Sequence, residues 1–378
     1  MIVGYDATPI TTGRTGVGAY CYNLLSRLLA IGTPTDFRLF TSGRGQLDLG
    51  PYELPGRHRH VPLPTRVVYG VWDMFGIPKM EGLLGPHDVY HATNYYLAPT
   101  RAGKRVLSIH DLTFIVRPEW CSDVIVRLFA KHTPRFAAEA DAIITGSEAS
   151  KKDIVERLGI AANKITVTPY AADPAHRPVA RERALEDVRR ELALDVPYLL
   201  FVGTLERRKN VANIVRAFGR IAAEVPHSLV LAGGAGWGYP EIDEAILAGA
   251  FSDRVVRPGY VRAGLLPSLY SGADGFVFPS RYEGFGLPVL DAMACGCPVI
   301  TSTSSSLPEV AGDAALMVGP EDVDALAEGI RRMATDAQLR DTLRAKGRAR
   351  AAEFSWDRCA LQTLDVYRSL CGNSRASG

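Results

Sequence analysis

Short runs rich in β-branched and aromatic residues alternate with stretches of helical period in the second half of this chain, and that alternation limits what it can fold into. The runs fall at 198–202, 228–232, 255–256, 275–278, 298–301 and 314–318. Between them, residues 210–225 place Val211, Ile214, Val215, Phe218, Ile221 and Ala222 on one helical face. Strand, helix, strand, helix implies a parallel sheet covered on both faces. The first half repeats the theme less regularly, with strand candidates at 2–6, 38–41, 89–92, 106–109, 142–145 and 165–168. A first helix from Gly18 to about Ala30 would bury Tyr20, Leu24, Leu25 and Leu28.

A chain of 378 residues exceeds what one hydrophobic core usually supports. Near residues 173–196 the pattern lapses into Pro, Ala and charge (ADPAHRPVARERALED), the composition of a linker. The expected organisation is therefore an α/β chain of two doubly wound, Rossmann-like domains facing across a cleft, at 1–172 and 197–355. A last helix begins at Trp356 and is expected to cross back to the first domain, ahead of a frayed tail. Such sheets present ligand groups at the carboxyl ends of their strands.

Composition excludes several classes. A net charge of +2 argues against a nucleic-acid stripe. Cys21, Cys121, Cys295, Cys297, Cys359 and Cys371 are scattered, so we read them as reduced thiols and expect no metal site. Asp322-Val323-Asp324 has D-x-D form but sits where acids favour a helix start. The N-terminus shows no secretory pattern and no long apolar span occurs, so the expected location is cytoplasmic, free or resting peripherally on the inner face of the plasma membrane. The apolar run 69–78 is expected to be core, and 124–136, carrying Arg127, Lys131 and Arg135, to be a surface helix.

Four segments carry chemistry. In FPSRYEGFGLPVLDAMACGCPVI (278–300) a strand ends and Glu283 follows in a loop. Gly284 and Gly286 then precede a helix with Pro288 in its first turn. Backbone N–H groups there, backed by the helix dipole, suit hydroxyls and negative charge. Asp291 lies one turn inside, so its carboxylate is expected to point the same way as that of Glu283. In FVGTLERRKN (201–210) a strand delivers Arg207, Arg208 and Lys209 to a loop before a helix. Fixed cations there would neutralise a departing phosphate. In TTGRTGVGAY (11–20), Gly13, Gly16 and Gly18 free the backbone before the first helix, but the G-x-x-G-x-G spacing fails the dinucleotide fingerprint. In SIHDLTFIVRPEW (108–120), His110 and Asp111 stand at a strand end, where a ligand contact and a histidine simply bonded to backbone are both open.

The run EGFGLPVLDAMACGCPVI resembles the E-x7-E motif of retaining glycosyltransferase family 4, which has the GT-B fold. GTLERRKN is similar to the G-T-L-E-P-R-K-N stretch of bacterial surface-polysaccharide mannosyltransferases in that family, with Arg207 at its proline. The resemblance extends through LVLAGGAGWGYPEI, RPGYV, SSSLPEVAGDAALMV and VYHATNYYLAP, covering nearly the whole chain. It implies that Glu283 holds donor-sugar hydroxyls with help from Gly284, Phe285, Gly286 and Leu287. Asp291, standing where the family has Glu, would bind the ribose. Arg208 and Lys209 would hold the diphosphate, Gly16 would touch the phosphates, His110 would lie beside the reacting carbon, and Val261 near the base. The implied activity is metal-independent transfer of a hexose, with mannose from GDP-mannose expected and UDP- or other NDP-hexoses as the alternative. The acceptor would be a saccharide or lipid-linked saccharide, and no cofactor is expected. A nucleotide-sugar epimerase and a non-catalytic sugar-nucleotide binder are the rival classes.

Overall fold

The computed structural model describes residues 1–12, 16–32, 34–45, 57–236 and 240–372. They form two compact units. The first comprises Met1–Ile115, Asp123–Tyr170 and the chain from Ser355 onward; the second comprises Val116–Ser122 and Ala171–Phe354.

The first unit is built on strands β1 (Ile2–Asp6), β2 (Asp36–Ser42), β3 (His58–Val61), β4 (Val89–Ala92), β5 (Lys104–Ser108), β6 (Ala142–Thr145) and β7 (Ile165–Val167). They lie in the order β3-β2-β1-β4-β5-β6-β7 and every pairing is parallel. The order turns between β1 and β4, whose carboxyl ends make the crevice where such sheets bind ligands. Strand β3 was not anticipated, because its sequence HRHV is largely exposed and has no apolar period. Helix α1 (Val17–Ala30) buries Tyr20, Leu24, Leu25 and Leu28, each worth roughly 1.5–3 kcal/mol of transfer free energy. Helix α2 (Thr65–Phe75) turns Val68, Tyr69 and Trp72 inward. Tyr69 stacks on Tyr96 at 3.7 Å.

Two expectations fail here. Met74 and Phe75 are 75% and 65% exposed and Ile77 is 58% exposed, so the 69–78 run is core only at Tyr69 and Trp72. Residues 124–136 are not one helix either. A short turn at Asp123–Ile125 passes into a π-helical turn at Val126–Ala130, and a separate helix starts at Thr133 with Pro134 in its first turn. Proline at 134 has no N–H to continue the preceding ladder.

The second unit holds β8 (Tyr198–Val202), β9 (Ser228–Ala232), β10 (Val255–Gly259), β11 (Gly275–Phe278), β12 (Val299–Ser302) and β13 (Ala315–Val318). Their order, β10-β9-β8-β11-β12-β13, is again all parallel, with its turning point between β8 and β11. The linker composition conceals helix α3 (Arg181–Leu192), which buries Ala184 and Val188 and belongs to this unit. Helix α4 (Val211–Ile221) follows β8 and buries Ile214, Val215, Phe218 and Ile221. Helix α5 (Leu287–Ala294) follows β11. Asp322 caps the helix Val323–Thr335 by accepting the Ala325 N–H at 2.9 Å, as its helix-start position suggested. Among the described residues, none of the helices is long and apolar enough to cross a membrane.

Cys21, Cys295, Cys297 and Cys359 are buried, and burial pushes their thiols well up, to about 12 for Cys359. They are inert core thiols.

Helix α6 (Trp356–Gly372) closes the first unit by packing on α1. Its Trp356 stacks on Tyr170, and Arg27 Nε donates to Asp357 at 2.8 Å. Deeper in, a chain of bonds runs from Tyr20 through Ser108 and His91 to Tyr367: 3.0 Å from Tyr20 to Ser108, 2.8 Å from Ser108 to His91 Nε2, and 2.6 Å from His91 Nδ1 to Tyr367. Burial lowers the His91 pKa to about 3, so the ring is neutral. Tyr367→Phe leaves a buried ring nitrogen without its partner, and urea unfolding of the full chain should show a loss of about 1–3 kcal/mol. The His91 proton equilibrium adds a pH signature. Its folded pKa lies below the unfolded one, so the associated stability is complete above about pH 6.5 and falls away as pH drops toward about 3.

Candidate functional site

At the turning point of the second sheet, the loops leaving β8 and β11 converge. The loop after β8 begins at Gly203 (φ +149°), where a side chain would press on the Lys209 stem at 3.3 Å. Gly233, at the end of β9, passes so close that a Cβ would stand 1.9 Å from the Gly203 carbonyl oxygen. Those glycines let neighbouring loops pack without side chains between them.

Arg208 and Lys209 come from the first loop and Glu283 from the second, and the structure brings all three together. Arg208 Nη1 lies 2.9 Å from Glu283 Oε2, and Lys209 Nζ lies 3.2 Å from Oε1. Ser280 donates to Oε1 at 2.7 Å. Arg208 also donates to the Tyr282 carbonyl at 2.7 Å and to Glu206 at 2.8 Å. The Lys209 ammonium sits 4.8 Å over the Phe278 ring. Burial alone would raise the Glu283 pKa; the Arg208 and Lys209 charges outweigh it and bring it to about 2. Two mostly buried cations are thus held by carboxylates of the protein itself, an arrangement that needs close geometry to offset desolvation.

The backbone around Glu283 is held in strained conformations. Ser305 (φ +48°) accepts the Glu283 N–H at 2.8 Å, and Ser306 donates to the carbonyls of Glu283 and Phe285. Asn210 (φ +63°) opens α4 and donates to the Pro279 carbonyl at 3.1 Å. Non-glycine residues with positive φ cost about 1–3 kcal/mol and gather at functional sites. Serines 280, 305 and 306, which bond Glu283, carry no signal in the sequence, because a serine in a loop has neither period nor charge.

The other expected residues are distributed more loosely. Gly286 (φ +112°) is the N-cap of α5, Leu287 its first residue, and the Phe285 ring is buried against Phe354. Gly284 is buried between Glu283 and Phe285. Val261 is buried just past β10, two strands away from β8. Arg207, at the position of the family's proline, pairs with Glu241. Asp291 does not join Glu283 in its ion cluster, as their shared direction suggested; its Oδ1 accepts the Asp173 N–H at 2.9 Å and stands 2.9 Å from His176 Nδ1. A one-methylene-shorter carboxylate on α5 meets the chain segment after residue 171 instead. His176 escaped notice because its partner is more than a hundred positions away in sequence.

In the first unit Gly16 is exposed at the start of α1 with φ +52°, and no heavy atom would lie within 4 Å of an added Cβ. Gly18 is buried inside α1, and Gly13 lies outside the described residues, as do Trp237, Gly238 and Tyr239 of the AGGAGWGY stretch. His110 is committed on both sides: Nδ1 is 2.8 Å from the Tyr170 hydroxyl and Nε2 is 2.9 Å from the Thr93 carbonyl. Burial lowers its pKa to about 4. The ring is therefore neutral, with Nε2–H donating and Nδ1 accepting. Asp111 accepts from the Thr113 N–H and hydroxyl, a local cap. At the end of β1, Asp6 is buried and accepts the Thr8 N–H at 2.9 Å, and burial raises its pKa to about 6. Tyr95 (φ +56°) stands past β4 with its ring edge toward His110. Neither had a sequence signal beyond its strand-end position.

A family model described as Glycosyl transferases group 1 matches residues 183–350, and one described as Glycosyltransferase Family 4 matches 14–176. O-antigen chain mannosyltransferase B of Escherichia coli is 35% identical over 98% of this chain and 100% of its own length. The chain belongs to glycosyltransferase family 4. This transferase has the GT-B fold, with a seven-stranded and a six-stranded Rossmann-like unit. Sucrose-phosphate synthase from Thermosynechococcus elongatus superposes with a TM-score of 0.79 at 24% identity, over 99% of this chain and 100% of that one. Anabaena HepE in complex with UDP and glucose gives 0.71 at 19% identity, over 97% and 99%.

The His176 contact yields a pH test. Burial works against charging the ring, but the Asp291 carboxylate, with Asp173 adding to it, outweighs burial and raises the His176 pKa. Stability from a raised histidine is complete below the unfolded pKa and disappears as pH rises through the folded one. Wild type should therefore exceed His176→Asn in thermal stability by more at about pH 5.5 than at about pH 8.5, read by differential scanning fluorimetry.

Proposed function

We propose that this transferase moves mannose from GDP-mannose to a hydroxyl of a saccharide or lipid-linked saccharide, with retention at the anomeric carbon, in building a cytoplasmically assembled polysaccharide. The observation that carries the reading is the Arg208–Glu283–Lys209 cluster at the turning point of the second sheet. Support for mannose comes from the likeness to the Escherichia coli mannosyltransferase. The UDP seen with HepE keeps a UDP-hexose as the second reading.

The chemistry follows from charge. The bond between the anomeric carbon and the diphosphate oxygen breaks through an oxocarbenium-like state. Negative charge grows on the leaving phosphate, where Arg208 offers a planar fork and Lys209 a point charge. Glu283, which holds those cations in the protein alone, exchanges them for sugar hydroxyls as the diphosphate docks. Amides of Gly284, Phe285, Gly286 and Leu287 at the start of α5 assist it. The acceptor oxygen bonds to the same face of the carbon, and its proton passes to the departing phosphate oxygen. Asp291 takes the ribose, Val261 borders the base, Gly16 approaches the phosphates, and neutral His110, its ring nitrogens held by Tyr170 and Thr93, lies beside the sugar as a packed wall rather than a hydrogen-bonding group. No cofactor or metal enters this scheme.

A thermal-shift panel of GDP-mannose, UDP-glucose, ADP-glucose and dTDP-glucose tests the donor. A shift confined to GDP-mannose is expected; one confined to UDP-glucose replaces the donor, and none with any donor overturns the reading. Product analysis by NMR on donor alone separates hydrolysis from epimer formation. Two variants test the cluster. Lys209→Ala should weaken GDP binding about 10- to 100-fold by calorimetry, the value of one charge-assisted bond. Glu283→Gln should hold GDP at least as tightly, since the cations lose their internal counter-charge, while transfer falls about 100- to 1,000-fold. Loss of GDP binding in Glu283→Gln would contradict the exchange.

A further inference from the structure

Helix α2 is apolar on two faces. Val68, Tyr69 and Trp72 enter the core, but Val67, Val71 and Met74, spaced i, i+4 and i+7, form an outward stripe. Leu63 before the helix and Phe75 and Ile77 at its end extend that stripe. Its only polar side chains are Thr65, Arg66 and Asp73. A helix apolar all round belongs in an interior, yet this one lies on the surface of the first unit.

The neighbouring segment shows the same character. Val124 and Ile125 are 62% and 41% exposed. The two segments are tied together by Asp73, which lies 3.3 Å from Arg135 and 3.4 Å from His132. Of the twelve large apolar side chains exposed among the described residues, eight fall in these two stretches, which marks a patch rather than scatter.

Charge selects the occupant. Arg66, Arg127, Lys131 and Arg135 are exposed in these same two stretches, against the carboxylates of Asp73 and Asp123. Asp73 is already neutralised by Arg135. Arg127 Nε donates to the Asp123 carbonyl, and Arg66 and Lys131 have no acidic partner among the described residues. Exposed apolar side chains in stretches that also carry cations, two of them without an acidic partner, match the headgroup–acyl boundary of an anionic bilayer, where the first bury and the second meet phosphates. We propose that the α2 face, with Val124 and Ile125 beside it, seats this protein on an anionic lipid surface. The proposal stands apart from the donor chemistry: it involves neither Glu283 nor the cations that pair with it.

Flotation of the full-length protein with phosphatidylcholine vesicles, with and without about 30% phosphatidylglycerol, tests it. Binding to the anionic vesicles is expected, weaker at high salt and on pure phosphatidylcholine. M74S/F75S should lower the partition coefficient at least tenfold while melting temperature and donor hydrolysis stay at wild-type values. R127Q/K131Q, which alters only exposed side chains, should lower binding to anionic vesicles several-fold and serves should the first variant fold poorly. No flotation with anionic vesicles, or flotation unchanged in both variants, overturns the proposal. So does a wild-type dimer in sedimentation velocity that M74S/F75S abolishes, since a second copy would then cover the face.

Discussion

The attraction between Glu283 and the two cations beside it organises the second unit's functional end. All three side chains are mostly buried, and any one left alone would be costly. Their mutual pairing makes the loop pair after β8 and β11 a single object: Arg208 reaches across to the Tyr282 carbonyl, and Asn210 reaches across to that of Pro279. Ser305 and Ser306 then fix the backbone of Glu283 and Phe285 from the β12 side. The strain at Asn210 and Ser305 is sustained because these cross-loop bonds over-determine the geometry.

The two halves of the transferase solve similar topologies with different interiors. In the second unit the sheet packs Phe201, Phe276 and Phe278 in near-parallel rings, with the buried His227–Asp274 pair as a separate polar contact. In the first unit, polar side chains are threaded through the core, with Tyr20, Ser108, His91 and Tyr367 sharing hydrogen bonds. A satisfied polar network of that kind fixes one packing in place, because each alternative leaves a buried group unpaired. Burial keeps His91 and His110 neutral, and His110, bonded to Tyr170 and to the Thr93 carbonyl, has neither ring nitrogen to spare.

What could be read in advance divides along a physical line. Fully buried parallel strands are continuous apolar runs, so β1, β4, β6, β8, β9 and β11 are legible to the residue. Edge strand β3 is not, since exposed HRHV has no pattern to show. Charge and glycine at strand ends exposed Arg208, Lys209, Glu283 and Gly286, because those residue types are costly or strained anywhere else. The hydroxyl partners of Glu283 and the His176–Asp291 contact were illegible, since they depend on which distant segments the fold brings side by side. The apolar run 69–78 misled for a related reason: hydrophobicity reports that a surface avoids water, not whether protein is what covers it.

The C-terminal helix belongs to the unit that the N-terminal residues begin. During synthesis the first sheet therefore emerges early, while the helix that covers its Tyr20 and His91 side follows the whole of the second unit. The nearly contiguous second unit is free to complete its core first, and the first must wait with apolar surface open. For the ribosome, this transferase matures from the inside of its sequence outward.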